Sequence, residues 1–126
     1  MPVLQVHALP QSNPKRIPTA LKQACVAIAQ AYGCPVQQVF ATWEEIAAGH
    51  YVDGEIAANT QPPDSHPPLA TLMGFEGKSQ DVIEATLKAA AAALCDGLCI
   101  PNNIFITYHE ALSGRTMAGN DMVRRK

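Results

Sequence analysis

The sequence is poor in charge, and what it has is balanced. Only 16% of its 126 residues are charged, and 9 Lys and Arg against 11 Asp and Glu leave a net charge of −2. Such a chain has no electrostatic footprint for nucleic acid or for an acidic membrane surface. Long apolar runs are missing too, since none approaches the roughly 18 residues of a membrane-spanning helix. The start carries no charged segment followed by an apolar core, so a leader is not expected and a cytoplasmic protein is. The closing MVRRK is a short basic stretch, expected to be a solvated tail. Cys25, Cys34, Cys95 and Cys99 form neither a compact disulfide framework nor a common zinc spacing, so free thiols are expected. His7, His50, His66 and His109 offer no pair with metal-ligand spacing on one element. No metal and no cofactor are therefore expected.

What is present is a repeat. PVLQVHALP at the start returns as PLATLMGFEG from Pro68, and each copy leads into a helical pattern, a proline, a β-rich stretch, then glutamate and glycine. Pro2 matches Pro68, Pro35 matches Pro101, Glu45 matches Glu110 and Gly49 matches Gly114, at an offset of 65 to 66 residues. That period is too long for a solenoid and suits a duplicated supersecondary unit. One domain is expected over residues 1–126, with repeats at 2–60 and 68–120 and a stiff, exposed connector, QPPDSHPP, around 61–67.

Each unit reads strand, helix, strand. Residues 3–9 are apolar and β-branched enough for a strand, and VQQVFATWE and NIFITYHE are expected to be strands as well. The first helix carries Leu21, Ala24, Cys25, Ile28 and Tyr32 on one side, has Pro18 in its first turn and stops at Gly33. The second has Ser79 as its cap and Asp81 in its first turn, with Gly97 expected to close it. Right-handed crossovers in both units give an α/β fold. Its four-stranded mixed sheet has two helices on one face. The other face then needs cover that short hairpins cannot supply, which implies self-association.

These residues resemble a known family. PVLQVHALP, the helix after it and EIAAGHYVDGE are similar to 4-oxalocrotonate tautomerase over nearly its whole short chain. GFEGKSQD and EALSGRTMAGN look like a second copy. The chain, over residues 2–120, thus resembles a fused tandem member of the tautomerase superfamily, related to macrophage migration inhibitory factor and malonate semialdehyde decarboxylase. The resemblance implies a homotrimer with inward-facing sheets and active sites between subunits. It also implies that Pro2, freed by removal of Met1, is the catalytic group. Pro68 holds the matching place, but its nitrogen is locked in an amide, so one active site per chain is expected.

The implied chemistry follows from a secondary amine. An α-amino group titrates near pH ~7.7–8.0, and burial or a nearby cation lowers that value. Such an amine serves as a general acid/base in keto–enol tautomerisation of a small 2-oxo or enol carboxylate. A protonated Pro2 would instead suit decarboxylation or hydration, and a chain that keeps the fold without the chemistry would be an oligomeric binding protein. The family's two arginines fall on Ser12 and Phe40, with Phe105 at the second unit's match, so the carboxylate must be held otherwise. Lys78, in EGKS, stands where fused members place an arginine, and keeps the charge without the bidentate fork. Arg115, on the hairpin that closes the pocket in relatives, is a second candidate. Phe75, Phe105, Thr107 and also Tyr108 are candidate walls. Ala118 replaces the dehalogenase branch's water-activating glutamate, which disfavours that reaction. His7 is expected to be packed within the strand, Tyr51 and Asp53 to close a subunit edge, and Lys15 and Arg16 to be surface residues with no site beside Pro68.

Overall fold

Alternation in the strands decides the layers. In Val3–Ala8 (β1) Leu4, Val6 and Ala8 are buried while Gln5 and His7 are exposed, and in Leu69–Phe75 (β5) Ala70, Leu72 and Gly74 are buried. A period of two puts each set on one face. The computed structural model describes residues 1–124. Arg125 and Lys126, part of the tail expected to be solvated, lie outside the described residues.

β1 is followed by Arg16–Tyr32 (α1), a 3₁₀ turn at Val36–Gln38 and Phe40–Glu45 (β2). The first half of VQQVFATWE is therefore a turn rather than strand. Tyr51–Asp53 (β3) and Ile56–Ala58 (β4) form a hairpin, and after β5 come Gln80–Leu98 (α2), Phe105–Ala111 (β6) and the hairpin Thr116–Ala118 (β7) with Asp121–Val123 (β8). The main sheet has the order β2-β1-β5-β6, with β1 parallel to β2, β5 parallel to β6, and β1 antiparallel to β5. It is a four-stranded mixed sheet built from two β-α-β units.

Both helices cover one face. Ala24, Ile28 and Tyr32 of α1 and Ala90 and Leu94 of α2 join Leu4, Val6, Ala70 and Leu72 in a single buried cluster. The helices meet through small residues. A Cβ at Gly97 would lie 2.7 Å from the Ala20 Cβ, so glycine sets their approach. Gly97 thus lies inside α2, and the left-handed cap belongs to Cys99 (φ 57°). Ser79 does cap α2, its side chain accepting from the Val82 N–H at 3.3 Å, and Gly33 (φ 84°) ends α1.

The connector is tied down, and only Pro63 and Asp64 of it are exposed. His66 is 2% exposed, its Nε2 bonds the Ile56 carbonyl at 2.7 Å, and its backbone N–H donates to Asp53 Oδ2 at 3.0 Å. Tyr51 Oη donates to the Pro67 carbonyl at 2.6 Å, so Tyr51 and Asp53 hold this chain's own connector. Gln61 and Asn103 donate to further connector carbonyls. A proline-rich stretch has few N–H groups of its own, and side-chain amides answer its carbonyls instead.

Candidate functional site

The amino terminus lies where β1 begins, at the end of the sheet where β5 finishes. Val3 is opposite Met73, which places Pro2 level with Gly74. The Pro2 side chain is fully buried, and its carbonyl accepts from the Phe40 N–H at 3.0 Å. Strand β5 turns here into α2, and this turn carries Lys78. The Lys78 Nζ donates to the Tyr32 carbonyl at 2.9 Å and sits 4.3 Å from the centroid of the Tyr32 ring. The last turn of α1 thus anchors the one cation that faces the terminus from β5.

Electrostatics connect these groups. Burial lowers the pKa of the Met1 amine, one residue before Pro2, below its ordinary value; Cys34 opposes the shift and Lys78 adds to it. Sequence had pointed to Pro2 and Lys78, and the fold brings them together. It gave no sign of Tyr32 and Cys34. Both stand at the α1 exit, and only the return of the β5–α2 turn past that exit makes them neighbours of the terminus.

The other candidates are placed differently. Phe75 stands on the same strand end, its N–H donating to Tyr32 Oη at 2.9 Å. It lines a cavity of about 150 Å³ with Glu76, Ser113 and Arg124. Arg115 is exposed on the β6–β7 turn and does not line this cavity; Arg124, also exposed, does. Of the tail read as solvated, Met122 and Val123 belong to β8.

Phe105 and Thr107 lie at the opposite end of the sheet. Phe105 is level with Leu69 and Thr107 with Thr71, four and two residues down β5 from Met73. At about 3.3 Å per residue, Phe105 is roughly 13 Å along the strands from the level of Val3. Phe105 and Thr107 line a cavity of about 460 Å³ on the uncovered face, with Gln5, His7, Leu69 and Thr71. His7 is exposed there, 3.7 Å from Glu44, rather than packed. Tyr108 is no wall of that face. Its hydroxyl is buried on the helix side over Gly74, with no well-aligned hydrogen-bond partner among the described residues. Burial first, then the neighbouring Tyr32 and Glu110, push its pKa up, so it stays a neutral phenol.

Among the described residues no group of three or more His, Cys, Asp or Glu is placed to hold a metal, and no helix is long and apolar enough to cross a membrane. The four cysteines are free thiols.

Solved structures of the same shape exist. A fused 4-OT described as a symmetric trimer superposes with a TM-score of 0.82 at 18% identity, covering 96% of this chain and 94% of its own. Pt0534 inactivated by 2-oxo-3-pentynoate gives 0.81 at 15% identity, over 97% and 94%. Malonate semialdehyde decarboxylase gives 0.72 at 19% identity, over 93% and 90%. The fold is that of the tautomerase superfamily. Neither a scan of protein-family models nor a search of curated proteins finds a match to the sequence. The likeness therefore lies in the backbone, and the side chains around the terminus must carry any argument about chemistry.

Proposed function

We propose that this protein is a tautomerase. After loss of Met1 the Pro2 amine moves a proton in keto–enol interconversion of a small 2-oxo or enol carboxylate. The observation that carries this reading is the place of Pro2, buried at the start of β1 one residue from a terminus that feels both burial and the Lys78 charge. In its neutral form the Pro2 amine can accept the enol proton, then deliver a proton to carbon. Only O–H and C–H bonds change, so no oxidant and no cofactor is required. Lys78 attracts the substrate carboxylate and Tyr32 holds Lys78. A point charge replaces the missing arginine fork, so the substrate is oriented less strictly.

The reading includes self-association. Phe40, Leu69 and Phe105 on the uncovered face are 52%, 41% and 59% exposed, and such a face is stable when covered by further copies. In a trimer like that described for the fused 4-OT, Phe105 and Thr107 of one chain act as walls for the Pro2 of another. If the Pro2 amine is lowered by the same burial and the same Lys78 charge that act on Met1, the base form is favoured, and with it tautomerisation over decarboxylation or hydration.

The test is ketonisation of phenylenolpyruvate and 2-hydroxymuconate by protein whose intact mass lacks Met1. Turnover that disappears when Met1 is retained supports the reading, because an acylated proline nitrogen cannot titrate. Turnover that is indifferent to Met1 ends it.

A further inference from the structure

The two β-α-β units match residue for residue, so the surroundings of Pro2 have a counterpart at Pro68. Shifting by 66 residues takes Lys78 to Ser12, Ser79 to Asn13, Tyr32 to Leu98, Gly33 to Cys99 and Cys34 to Ile100. The Pro2 and Pro68 carbonyls make the same bond, to the N–H groups of Phe40 at 3.0 Å and Phe105 at 3.1 Å. At the second location Ser12, Asn13, Leu98, Cys99 and Ile100 line a cavity of about 290 Å³, together with Arg16. That is near the lower end of the range for small-molecule sites.

Three features give this cavity a ligand preference. Arg16 is the only charged side chain among the described residues that line it. The exposed guanidinium contacts Cys99 Sγ at the cavity edge. Second, the start of α1 points the same way. Unlike α2, it has no side-chain cap and no acidic residue in its first turn, so no negative charge offsets its positive end, although Asn13 accepts from the Lys15 and Arg16 N–H groups. Third, Cys99 occupies a left-handed conformation, φ 57°, where the first unit has Gly33. A non-glycine residue costs energy there, and the side chain it supplies is the one that touches Arg16.

From this we infer that the Pro68 end is a second binding site, for a small carboxylate gripped by Arg16, that performs no chemistry. The nitrogen of Pro68 is an amide, so the site binds without exchanging a proton. The choice of a carboxylate rests in part on the reading of the Pro2 pocket; the fork of Arg16 supports it independently. Each chain then carries one catalytic and one binding-only copy of an ancestral pocket.

The probe is 2-oxoglutarate, titrated into isotope-labelled, Met1-processed protein while backbone amide shifts are followed. The Ser12, Asn13, Cys99 and Ile100 amides should move together to saturation. In Arg16→Gln the same movement should need at least tenfold more probe, and Arg16→Lys, which keeps the charge, should fall between. Lys78→Met and Pro2→Ala should leave it unchanged. If only amides around Lys78 and Cys34 respond, the second site is wrong and the Pro2 pocket stands. If only the Arg16 set responds, the second site stands and the Pro2 pocket loses its carboxylate. Silence at both overturns the inference, as does an unchanged response in Arg16→Gln. A second readout needs no variant: saturating 2-oxoglutarate should slow alkylation of Cys99 by iodoacetamide several-fold, and an unchanged rate overturns the site.

Discussion

The two ends of the central sheet are built from one plan and finished differently. At one end Gly33, Cys34 and Lys78 surround a chain terminus whose amine is depressed by burial. At the other, Cys99, Ile100 and Ser12, the counterparts of Gly33, Cys34 and Lys78, line a cavity with Arg16 in place of the lysine's charge. The hairpins still agree in detail. Gly49 donates to the Ala58 carbonyl at 3.0 Å and Gly114 to Val123 at 2.9 Å, while Gly54 and Gly119 take the same left-handed turn, at φ 65° and 61°. Duplication kept the backbone hydrogen bonds, which any divergence must respect, and released the side chains around the two prolines. On the proposed reading, loss of Met1 makes the reactive difference one of covalent chemistry, an amine at Pro2 against an amide at Pro68, that no packing can reverse.

The sharpest way to break the comparison is to treat the two prolines alike. Pro2→Ala should cut phenylenolpyruvate ketonisation by about 10²–10⁴-fold, the usual contribution of a positioned general acid/base. Pro68→Ala should leave the rate within about twofold once protein of equal fold is compared by circular dichroism. Equal losses would mean that both ends work, or that neither does.

Lys78→Met should lower kcat/KM by about 10- to 100-fold, the range expected for one hydrogen bond to a charged group, and the loss should be mostly in KM. It should also move the pH profile. The base must be neutral, so kcat/KM should rise with pH through the pKa of the Pro2 amine, on which Lys78 should act as it does on the Met1 amine next to it, lowering the pKa. Removing Lys78 takes away one lowering influence, so the rising limb should shift to higher pH. A shift to lower pH would refute the assigned proximity.

Stability offers two smaller contrasts. Leu72→Ala, at a fully buried position between the units, should cost about 2–5 kcal/mol in denaturant unfolding at fixed protein concentration. At the matched helix ends the signs should differ. Gly33→Ala should destabilise by about 1 kcal/mol, while Cys99→Gly should stabilise or be neutral, because only the first removes a residue suited to positive φ. If Cys99→Gly destabilises by more, the contact with Arg16 holds the fold as well as the cavity.

Much of this architecture was legible in the residues. Alternation in VLQVHA and LATLMGF, the helical spacing of Ala24, Ile28, Ala90 and Leu94, and the proline and glycine marks at a constant offset give two β-α-β units directly. Pro2 and Lys78 were legible through resemblance. The connector was misread because composition describes a free chain, whereas Tyr51, Asp53 and Asn103 bind it from elements outside it and Gln61 bonds within it. Gly97 looked like a helix end because local rules see its flexibility and not the close approach of Ala20. Met122 and Val123 were taken for solvated tail because nothing local shows that they pair with Met117 and Thr116.

The sequence by itself determined the duplication, the layer each strand residue faces, and the presence of a proline that becomes a secondary amine once Met1 is gone. These follow from periodicity and covalent structure, which are local. Tertiary structure decided that the β5–α2 turn returns past the end of α1, so that Lys78, Tyr32 and Cys34 gather at the terminus. It also decided that Phe105 and Thr107 lie at the far end of the sheet, and that Arg16 and Cys99 close around a second cavity. Antiparallel pairing of β1 with β5 is the physical reason: it sets each unit's helix entrance beside the other unit's first strand, so each pocket is shared between sequences about half a chain apart.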